Sequence, residues 1–338
     1  MVRPLPDWSR AHGGSLFRGD IRQSAEDFCV TEVLGFEPDG DGEHDFLWIE
    51  KKNTNTVWLA RQLADFAGIA ARDVGYGGMK DRLAVTRQWF SVRRPGGTPA
   101  DWTALDVDGV EVLATSRNTR KLRRGAHAGN QFRIVVRNLS KIAKEPDENT
   151  LDQRVLAIRE QGVPNYFGEQ RFGREAGNLQ LADAFFAGKR LTRDKRSIAL
   201  SSARAWIFNH VLQQRVEDGL WAVLQPGDTA ILDGSGSIFI VEEVEEELMQ
   251  RCKRLDLHPS GPLWGEGGNT LAFEQEIAGQ FLALAAGLEK NTKSSRRSLR
   301  LAVRQLDASL DDDGLALDFY LARGGFATAV LRELVNYV

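Results

Sequence analysis

The segment Asn165–Arg174 reads NYFGEQRFGR and places aromatic, arginine and glycine residues side by side with no clear period. It closely follows Gly162, the residue that ends a helix predicted over Leu151–Gln161. Because the periodic patterns of the preceding chain stop at this point, we predict that a second structural region begins at residue 162.

Periodic apolar residues on either side of this segment predict a protein with both strands and helices. Alternation predicts strands within residues 26–50, 74–76, 87–92, 130–138 and 315–321. Helical spacing predicts helices at residues 56–68, 151–161, 203–217 and 326–337. Asn55 or Thr56 can cap the first of these helices, and Ser201 or Ser202 can cap the third.

The composition is typical of a globular protein of about two domains that folds without disulfides. The chain has 338 residues, is 42% hydrophobic and 27% charged, and carries a net charge of −3. Its longest apolar run, Phe281–Leu288, is far shorter than the ~18 residues of a membrane helix. Cys29 and Cys252 are far apart, which suits a reducing compartment. We therefore expect a cytoplasmic protein with no membrane contact.

The residues that usually hold a metal or a nucleotide cofactor are not arranged to do so. The five histidines are scattered, and no two have the spacing of a helical zinc site. Gly188-Lys189 is followed by an arginine instead of serine or threonine, and the glycines at 75–78 do not open into a long helix. We therefore expect neither a metal nor a cofactor.

Basic residues are concentrated in three parts of this slightly acidic chain. Residues 112–144 hold nine lysines and arginines and no acidic residue, and smaller basic clusters lie at 189–196 and 293–300. The densest group consists of Arg120, Lys121, Arg123 and Arg124. Concentrated positive charge favours a polyanion, because each neutralised phosphate releases a condensed counterion. RNA or DNA is therefore the predicted partner, with solvent-exposed basic faces as the alternative.

Residues 77–88 read GGMKDRLAVTRQ and contain the strongest candidate for catalysis. Asp81 lies between Lys80 and Arg82 on a glycine-led loop. Nearby positive charge favours the ionised carboxylate, which a nucleophile or a general base requires. The alternative is an ordinary salt bridge within the loop.

Two further segments carry residues suited to binding a base. Asn130 and Phe132 open a predicted strand. The amide could pair with a base and the ring could stack on it. The alternation of apolar residues along this strand, however, favours a position in the core for Phe132. Gly324-Gly325 precedes Phe326 and a predicted helix, whose free N–H groups suit an anion or a carbonyl oxygen. An ordinary strand-to-helix turn, with Phe326 packed against the helix, is the alternative there.

Together these segments resemble the TruD family of tRNA pseudouridine synthases. The matching residues occur in family order and run from about Ile21 to Tyr337. They are Gly78–Arg82 with Ala84, Thr86 and Gln88, then Gly129–Phe132, then Val163–Gly173, and finally Phe326–Thr328 with Arg332–Leu334. The string from Asn165 to Gly173 is the most specific of them.

The resemblance implies an α+β protein in which a pseudouridine-synthase-like catalytic domain is built around a mixed, largely antiparallel sheet. A smaller α+β insertion domain interrupts this domain. The implied bounds are residues 1–161 for the first part of the catalytic domain, 162–300 for the insertion, and 301–338 for a strand and a helix that return to complete it. The family isomerises a uridine of tRNA, typically at position 13 in the D-stem, and uses no metal or cofactor.

The resemblance also implies roles for individual residues. Asp81 falls on the catalytic aspartate, while Phe28, Asn130 and Phe326 fall on residues that line the uridine site. Arg22, Lys80 and Phe132 match residues that support this site. The sequence departs from the family near its N-terminus, where Arg22 replaces the usual lysine and Ala25 replaces a proline. Arginine keeps the charge but presents a planar fork, so the pairing of Arg22 with Asp81 is left open.

Two other functions are compatible with these residues. One is a non-catalytic RNA-binding protein on the same scaffold, which the intact Lys80-Asp81-Arg82 segment disfavours. The other is a glycosidase or phosphodiester hydrolase that uses Asp81, although glycoside hydrolysis usually needs a second carboxylate and none is evident. We expect a monomer, because no exposed apolar stripe for a partner is visible.

Overall fold

The computed structural model describes residues 4–94, 100–142 and 148–337. In chain order the strands are β1 Phe17–Asp20, β2 Phe28–Val33, β3 His44–Lys52, β4 Val74–Tyr76, β5 Val85–Arg93, β6 Val110–Asn118, β7 Gly129–Lys141, β8 Val163–Pro164, β9 Thr229–Leu232, β10 Ile238–Ile240, β11 Leu257–Leu263, β12 Ser295–Ser298, β13 Arg300–Leu301, β14 Arg304–Asp311, β15 Gly314–Ala322 and β16 Val335–Tyr337. The α-helices are α1 Thr56–Ala67, α2 Glu148–Gln161, α3 Gly177–Phe186, α4 Arg193–Glu217, α5 Glu246–Lys253, α6 Ala272–Gly279, α7 Leu282–Glu289 and α8 Ala327–Leu331.

The chain forms two compact units. The sheet unit comprises residues 16–155, 304–324 and 335–338, and the helical unit comprises residues 1–15, 156–303 and 325–334. Residues 4–15 and 325–334 pack with the helical unit. Trp8 stacks on Tyr166 with ring centroids 5.7 Å apart, and Glu333 accepts hydrogen bonds from the Ala11 and His12 amides.

Within the described part of the sheet unit, the strands join in one mixed sheet. Its strand order is β14-β15-β7-β2-β5-β3-β6, with β1 paired to β7 and β16, and with β4 paired to β5. The β2/β5 and β1/β16 pairs are parallel, while the other recorded pairs are antiparallel. The expected mixed, largely antiparallel sheet is thus confirmed. Because β2 and β5 are parallel, with Cys29 opposite Val85, the loops that precede these two strands meet at one edge of the sheet.

Helix α1 supports this edge of the sheet. Asn55 caps its N-terminus by accepting hydrogen bonds from the Val57 and Trp58 amides, and Gly68 ends it in the left-handed region. Leu59 and Leu63 are fully buried against β3 and β5. Burial of each leucine contributes about 1.5–3 kcal/mol. The helix predicted over residues 56–68 is therefore confirmed.

The helical unit is built around the long helix α4. This helix begins at Arg193, where the Thr192 side chain accepts a hydrogen bond from the Lys195 amide. The predicted start near Ala203 was wrong, since Ser201 and Ser202 lie inside the helix instead of capping it. A four-stranded sheet in the order β10-β9-β11-β12 and a β8/β13 pair make up the strands described in this unit.

The end of the chain corrects a second prediction. The helix expected over residues 326–337 is wrong, because α8 ends at Leu331 and the chain then enters β16. Val335 lies opposite Phe17 in the parallel β1/β16 pair and is fully buried. Pairing with a distant strand thus overrides a local apolar pattern that also fits a helix. No helix in the described ranges combines the length and apolar character needed to cross a membrane.

Candidate active site

Asp81 lies in the loop between β4 and β5, as the sequence predicts. Its side chain is 41% exposed, so the carboxylate is accessible to a substrate. Gly77 opens the loop against the side chains of Glu32 and His127, where an added Cβ would come within 3.0 Å of both. Only glycine fits this approach without displacing its neighbours, which explains why a glycine precedes the aspartate in the loop.

Buried hydrogen bonds hold the backbone of this loop. The Thr56 hydroxyl accepts from the Lys80 amide at 3.1 Å and donates to Gln88 Oε1 at 3.2 Å. Gln88 Nε2 in turn donates to the Gly78 carbonyl at 3.1 Å. The side chains of Thr56, on α1, and Gln88, on β5, are both fully buried, so these two elements together fix the path of the loop. A fixed backbone keeps the Asp81 carboxylate in one place before substrate binds.

Lys51 is a site residue that the sequence analysis missed. Its Nζ donates to the Thr54 carbonyl at 2.7 Å and to the Asp81 carbonyl at 3.1 Å, and its side chain has no exposed surface. Burial lowers the pKa of Lys51 to about 8, and the negative charge of Asp81 opposes that shift. A signal was present, because Leu47, Ile49 and Lys51 alternate on the inward face of β3. A lysine in that register is placed where an apolar side chain would otherwise lie.

Arg22 forms the ion pair with Asp81 that the sequence left open. Its Nη2 lies 3.4 Å from Asp81 Oδ2. The same guanidinium lies over the Phe28 ring, with Cζ 4.1 Å from the ring centroid. Arg22 has a backbone φ of 59°, a left-handed conformation that is uncommon for a residue with a side chain. Its contacts on both sides therefore hold a disfavoured backbone geometry beside the candidate carboxylate.

The neighbours of Asp81 in sequence are not its partners in space. Lys80 Nζ binds Glu32 Oε2 at 2.6 Å, and both side chains of this pair are buried. Glu32 Oε1 also accepts from the Trp89 amide. Arg82 is exposed. The expectation that Lys80 and Arg82 supply the charge around Asp81 is therefore corrected, since Arg22 pairs with the Asp81 carboxylate and the buried Lys51 binds the Asp81 carbonyl.

The pairing of β2 with β7 sets the positions of the aromatic and amide candidates Phe28, Phe132 and Asn130. Phe28 is 1% exposed and meets Phe132 edge to face, while Phe132 stacks on Phe319 at 5.2 Å between centroids. Phe132 is thus a core residue, as its period indicates. Asn130 lies opposite Glu32 in the register and is half-buried. Its Oδ1 is buried and accepts no hydrogen bond from any described residue.

The four basic candidates lie between β6 and β7. Arg120, Lys121 and Arg123 line a cavity of about 680 Å³ whose walls include Phe36 and Leu122. The Lys121 Nζ donates to the Arg72 carbonyl, and Arg124 donates to the Tyr76 hydroxyl at 3.0 Å. Arg120 and Arg123 are exposed.

Phe326 belongs to the helical unit, where it lies immediately before α8. Its ring centroid is 5.9 Å from that of Phe167, and the guanidinium groups of Arg171 and Arg297 lie over it at 5.9 and 5.6 Å. The structure thus joins Asp81, Arg22, Phe28 and Phe132 in one chain of contacts within the sheet unit, while Lys80 binds Glu32. It places Phe326 in a second aromatic and arginine cluster.

Comparison of the structure with solved structures identifies the class of fold. A protein from Methanosarcina mazei, assigned as a tRNA pseudouridine synthase D (TruD), superposes with a TM-score of 0.73 and covers 96% of this chain and 95% of its own, at 22% sequence identity. The fold is therefore the α+β fold of the pseudouridine synthases, which agrees with the mixed sheet described above.

Sequence comparison identifies the family. The family model described as tRNA pseudouridine synthase D (TruD) matches residues 12–185 and 179–334. The tRNA pseudouridine synthase D of Methylococcus capsulatus is 46% identical over 98% of this chain and 95% of its own length, and that of Chromohalobacter salexigens is 44% identical over 98% and 97%. The chain belongs to the TruD family of tRNA pseudouridine synthases, and it is an isomerase. The resemblance seen in the sequence is confirmed.

Proposed function

We propose that this enzyme converts a uridine of tRNA, at position 13 in the D-stem, into pseudouridine with Asp81 as the catalytic carboxylate. The observation that carries the proposal is the accessible Asp81 carboxylate, which is paired with Arg22 on a loop held by buried hydrogen bonds. The sheet unit is the catalytic domain in this proposal, and the helical unit contains the insertion. Family membership supports tRNA as the substrate.

The reaction exchanges one bond between the uracil and the sugar for another. The N1–C1′ bond of the uridine breaks, the uracil turns over, and a C5–C1′ bond forms; N1 gains a proton and C5 loses one. Asp81 acts at the sugar, either by attacking C1′ or by removing a sugar proton. Arg22 orients the carboxylate through their 3.4 Å contact. No redox step or group transfer to a second molecule occurs, so we propose that neither a metal nor a cofactor takes part.

The uracil must be recognised while it is detached from the sugar. The buried Asn130 Oδ1 can accept a hydrogen bond from a uracil N–H, which would satisfy an acceptor that is otherwise unpaired among the described residues. Phe28 and Phe132 place an apolar wall beside Arg22 and so limit the access of water. The same wall would hinder escape of the free base.

The target base must leave the stacked stem to reach Asp81. Flipping a base costs a few kcal/mol. Stacking of a base on an aromatic ring contributes about 1–3 kcal/mol and can offset this cost. Arg120, Lys121, Arg123 and Arg124 supply positive charge for the tRNA backbone in this proposal.

A hydrolase that uses Asp81 is a weaker candidate. Glu32, which binds Lys80 of this loop and lies beside Gly77, is buried in an ion pair and accepts a hydrogen bond from the Trp89 amide. It is therefore not available as the second, proton-donating carboxylate that glycoside hydrolysis usually requires.

Pseudouridine mapping of a tRNA transcript treated with the purified protein tests the proposal. We expect pseudouridine at position 13, with no metal added beyond that needed to fold the tRNA. The matched control is the same transcript with cytidine at position 13. Pseudouridine at another position would contradict the assigned target, and the absence of pseudouridine from transcripts of all tRNAs would contradict the proposed activity.

A further inference from the structure

The helical unit holds two arginines against one aromatic pair. Arg297 Cζ lies 4.3 Å from the centroid of the Phe167 ring, and Arg171 Cζ lies 5.2 Å from the same centroid. Both guanidinium groups also lie within 6 Å of the Phe326 centroid. Two cations therefore share the faces of Phe167 and Phe326 in a half-buried cluster, which we call the arginine cluster.

Polar contacts hold the arginine cluster in place. Arg171 Nη1 donates to the Ser201 hydroxyl at 2.8 Å, and Arg297 Nη2 donates to Asn165 Oδ1 at 2.5 Å. The backbone of Phe167 is fixed by Asn209, which accepts from its amide and donates to its carbonyl. The Phe167 ring, against which both guanidinium groups pack, is therefore attached to a fixed backbone.

The two guanidinium groups of the arginine cluster carry like charges close together. Burial lowers the pKa of Arg171, and burial together with the charge of Arg171 lowers the pKa of Arg297. Within the part of the chain that the structure describes, no carboxylate lies within 4.0 Å of the Arg171 guanidinium. Two like charges held together out of water are stabilised by an anion placed between or beside them.

We propose that Arg171, with Arg297 beside it, binds a phosphodiester of the RNA substrate at an unstacked nucleotide. A guanidinium presents parallel N–H donors that match two phosphate oxygens, and Phe326 offers a ring on which the adjoining base can stack. The inference rests on the proposed function for its ligand, and it adds a binding role for the NYFGEQRFGR segment. Arg171 is a substrate-binding residue in this assignment and takes no part in the chemistry at Asp81.

The salt dependence of tRNA binding tests the assignment. Arg171→Gln should weaken binding by about 10-fold to 100-fold, because a charged hydrogen bond is lost, and should lower the slope of log K against log salt by about 0.7. Arg171→Lys should keep most of the slope, since it keeps the charge. Arg174→Gln is the matched control, because Arg174 is three residues away, 95% exposed and paired with Glu175. Equal effects of the Arg171→Gln and Arg174→Gln substitutions would overturn the assignment.

A second experiment changes the RNA instead of the protein. Neutral methylphosphonate linkages are placed one at a time around the target uridine of a tRNA assembled by ligation. At one linkage, neutralisation should weaken binding to the wild-type enzyme and have little further effect on Arg171→Gln. If the glutamine variant is unstable, Arg171→Met, which keeps a long side chain without charge, repeats the comparison, and the same linkage must again have little further effect. Equal losses in wild type and variant at every linkage would overturn the assignment.

These measurements separate this inference from the proposed function. Binding is measured without turnover. If the wild-type enzyme forms pseudouridine, and the Arg171→Gln substitution leaves the tRNA affinity and the salt slope unchanged, only the proposed phosphate site is overturned. A wild-type enzyme that shows the linkage-specific coupling but forms no pseudouridine overturns only the proposed activity.

Discussion

Arg22 Nη2 lies 3.4 Å from Asp81 Oδ2, although 59 positions separate the two residues in the chain. The contact exists because the loops before the parallel strands β2 and β5 lie at the same edge of the sheet. Phe28, at the start of β2, supports the other face of the guanidinium. The candidate carboxylate is therefore paired by tertiary structure, and the predictions below depend on that pairing.

The first prediction concerns Asp81. Asp81→Asn keeps the size of the side chain but removes its charge, so pseudouridine formation should fall by about 10³-fold or more. Melting temperature and tRNA affinity should change little, because the loop is held mainly through backbone and other side chains. Asp65→Asn, on the exposed side of α1, is the matched control and should keep full activity. A folded Asp81→Asn enzyme with near wild-type turnover would contradict the assigned mechanism.

A second prediction concerns the partner of Asp81. Arg22→Gln should lower kcat by about 100-fold while the Kd for tRNA stays close to wild type, because the positive charge acts on the carboxylate. Arg22→Lys should retain most of the activity, since lysine keeps the positive charge. Single-turnover rates at saturating enzyme separate kcat from binding. If Arg22→Gln raised Kd and left kcat intact, Arg22 would instead be an RNA contact.

The buried Lys51 predicts a pH dependence of stability. Its pKa of about 8 in the folded protein lies below the ordinary value of 10.5, so the unfolded chain binds more protons between these two pH values. The free energy of unfolding should therefore rise by about 3 kcal/mol over this interval relative to Lys51→Met, which cannot titrate there. Urea unfolding of both proteins at pH 7.5 and 10 measures the difference. If the free energy of unfolding of the wild type stayed constant or fell relative to that of Lys51→Met as the pH rises, the burial of Lys51 would be contradicted.

The basic group between β6 and β7 predicts a graded effect on tRNA binding. Changing Arg120, Lys121, Arg123 and Arg124 to alanine should weaken binding and lower the salt slope by up to ~0.9 for each lost contact with a duplex phosphate. Arg120 and Arg123 should account for most of the change, because Lys121 and Arg124 already bind the Arg72 carbonyl and the Tyr76 hydroxyl. Arg93→Ala with Arg251→Ala serves as control, since each arginine already faces a carboxylate. If the salt slope of tRNA binding stayed unchanged, these four residues would be solvent-exposed side chains that make no contact with phosphate.

Local elements were predictable because their signals are local. The cap at Asn55, the glycine at 68 and the apolar spacing between them define α1, and strict alternation defines the core of β7. The predictions for the start of α4 and for the end of the chain were wrong. The α4 prediction placed the cap at Ser201 or Ser202, whereas Thr192 caps a helix that starts ten residues earlier, and β16 depends on a partner strand more than 300 positions away.

The sequence by itself determined the family, the loop that carries Asp81 and the residues that could surround it. It did not determine which cation meets the carboxylate. Lys80, the neighbour in sequence, binds Glu32, while Arg22 and Lys51 reach Asp81 through the sheet. The physical reason is that periodicity reports which face of a strand is buried but carries no information on which strands pair. Electrostatic partners are set by distance and burial, and these follow only from the parallel pairing of β2 with β5 and the inward register of β3.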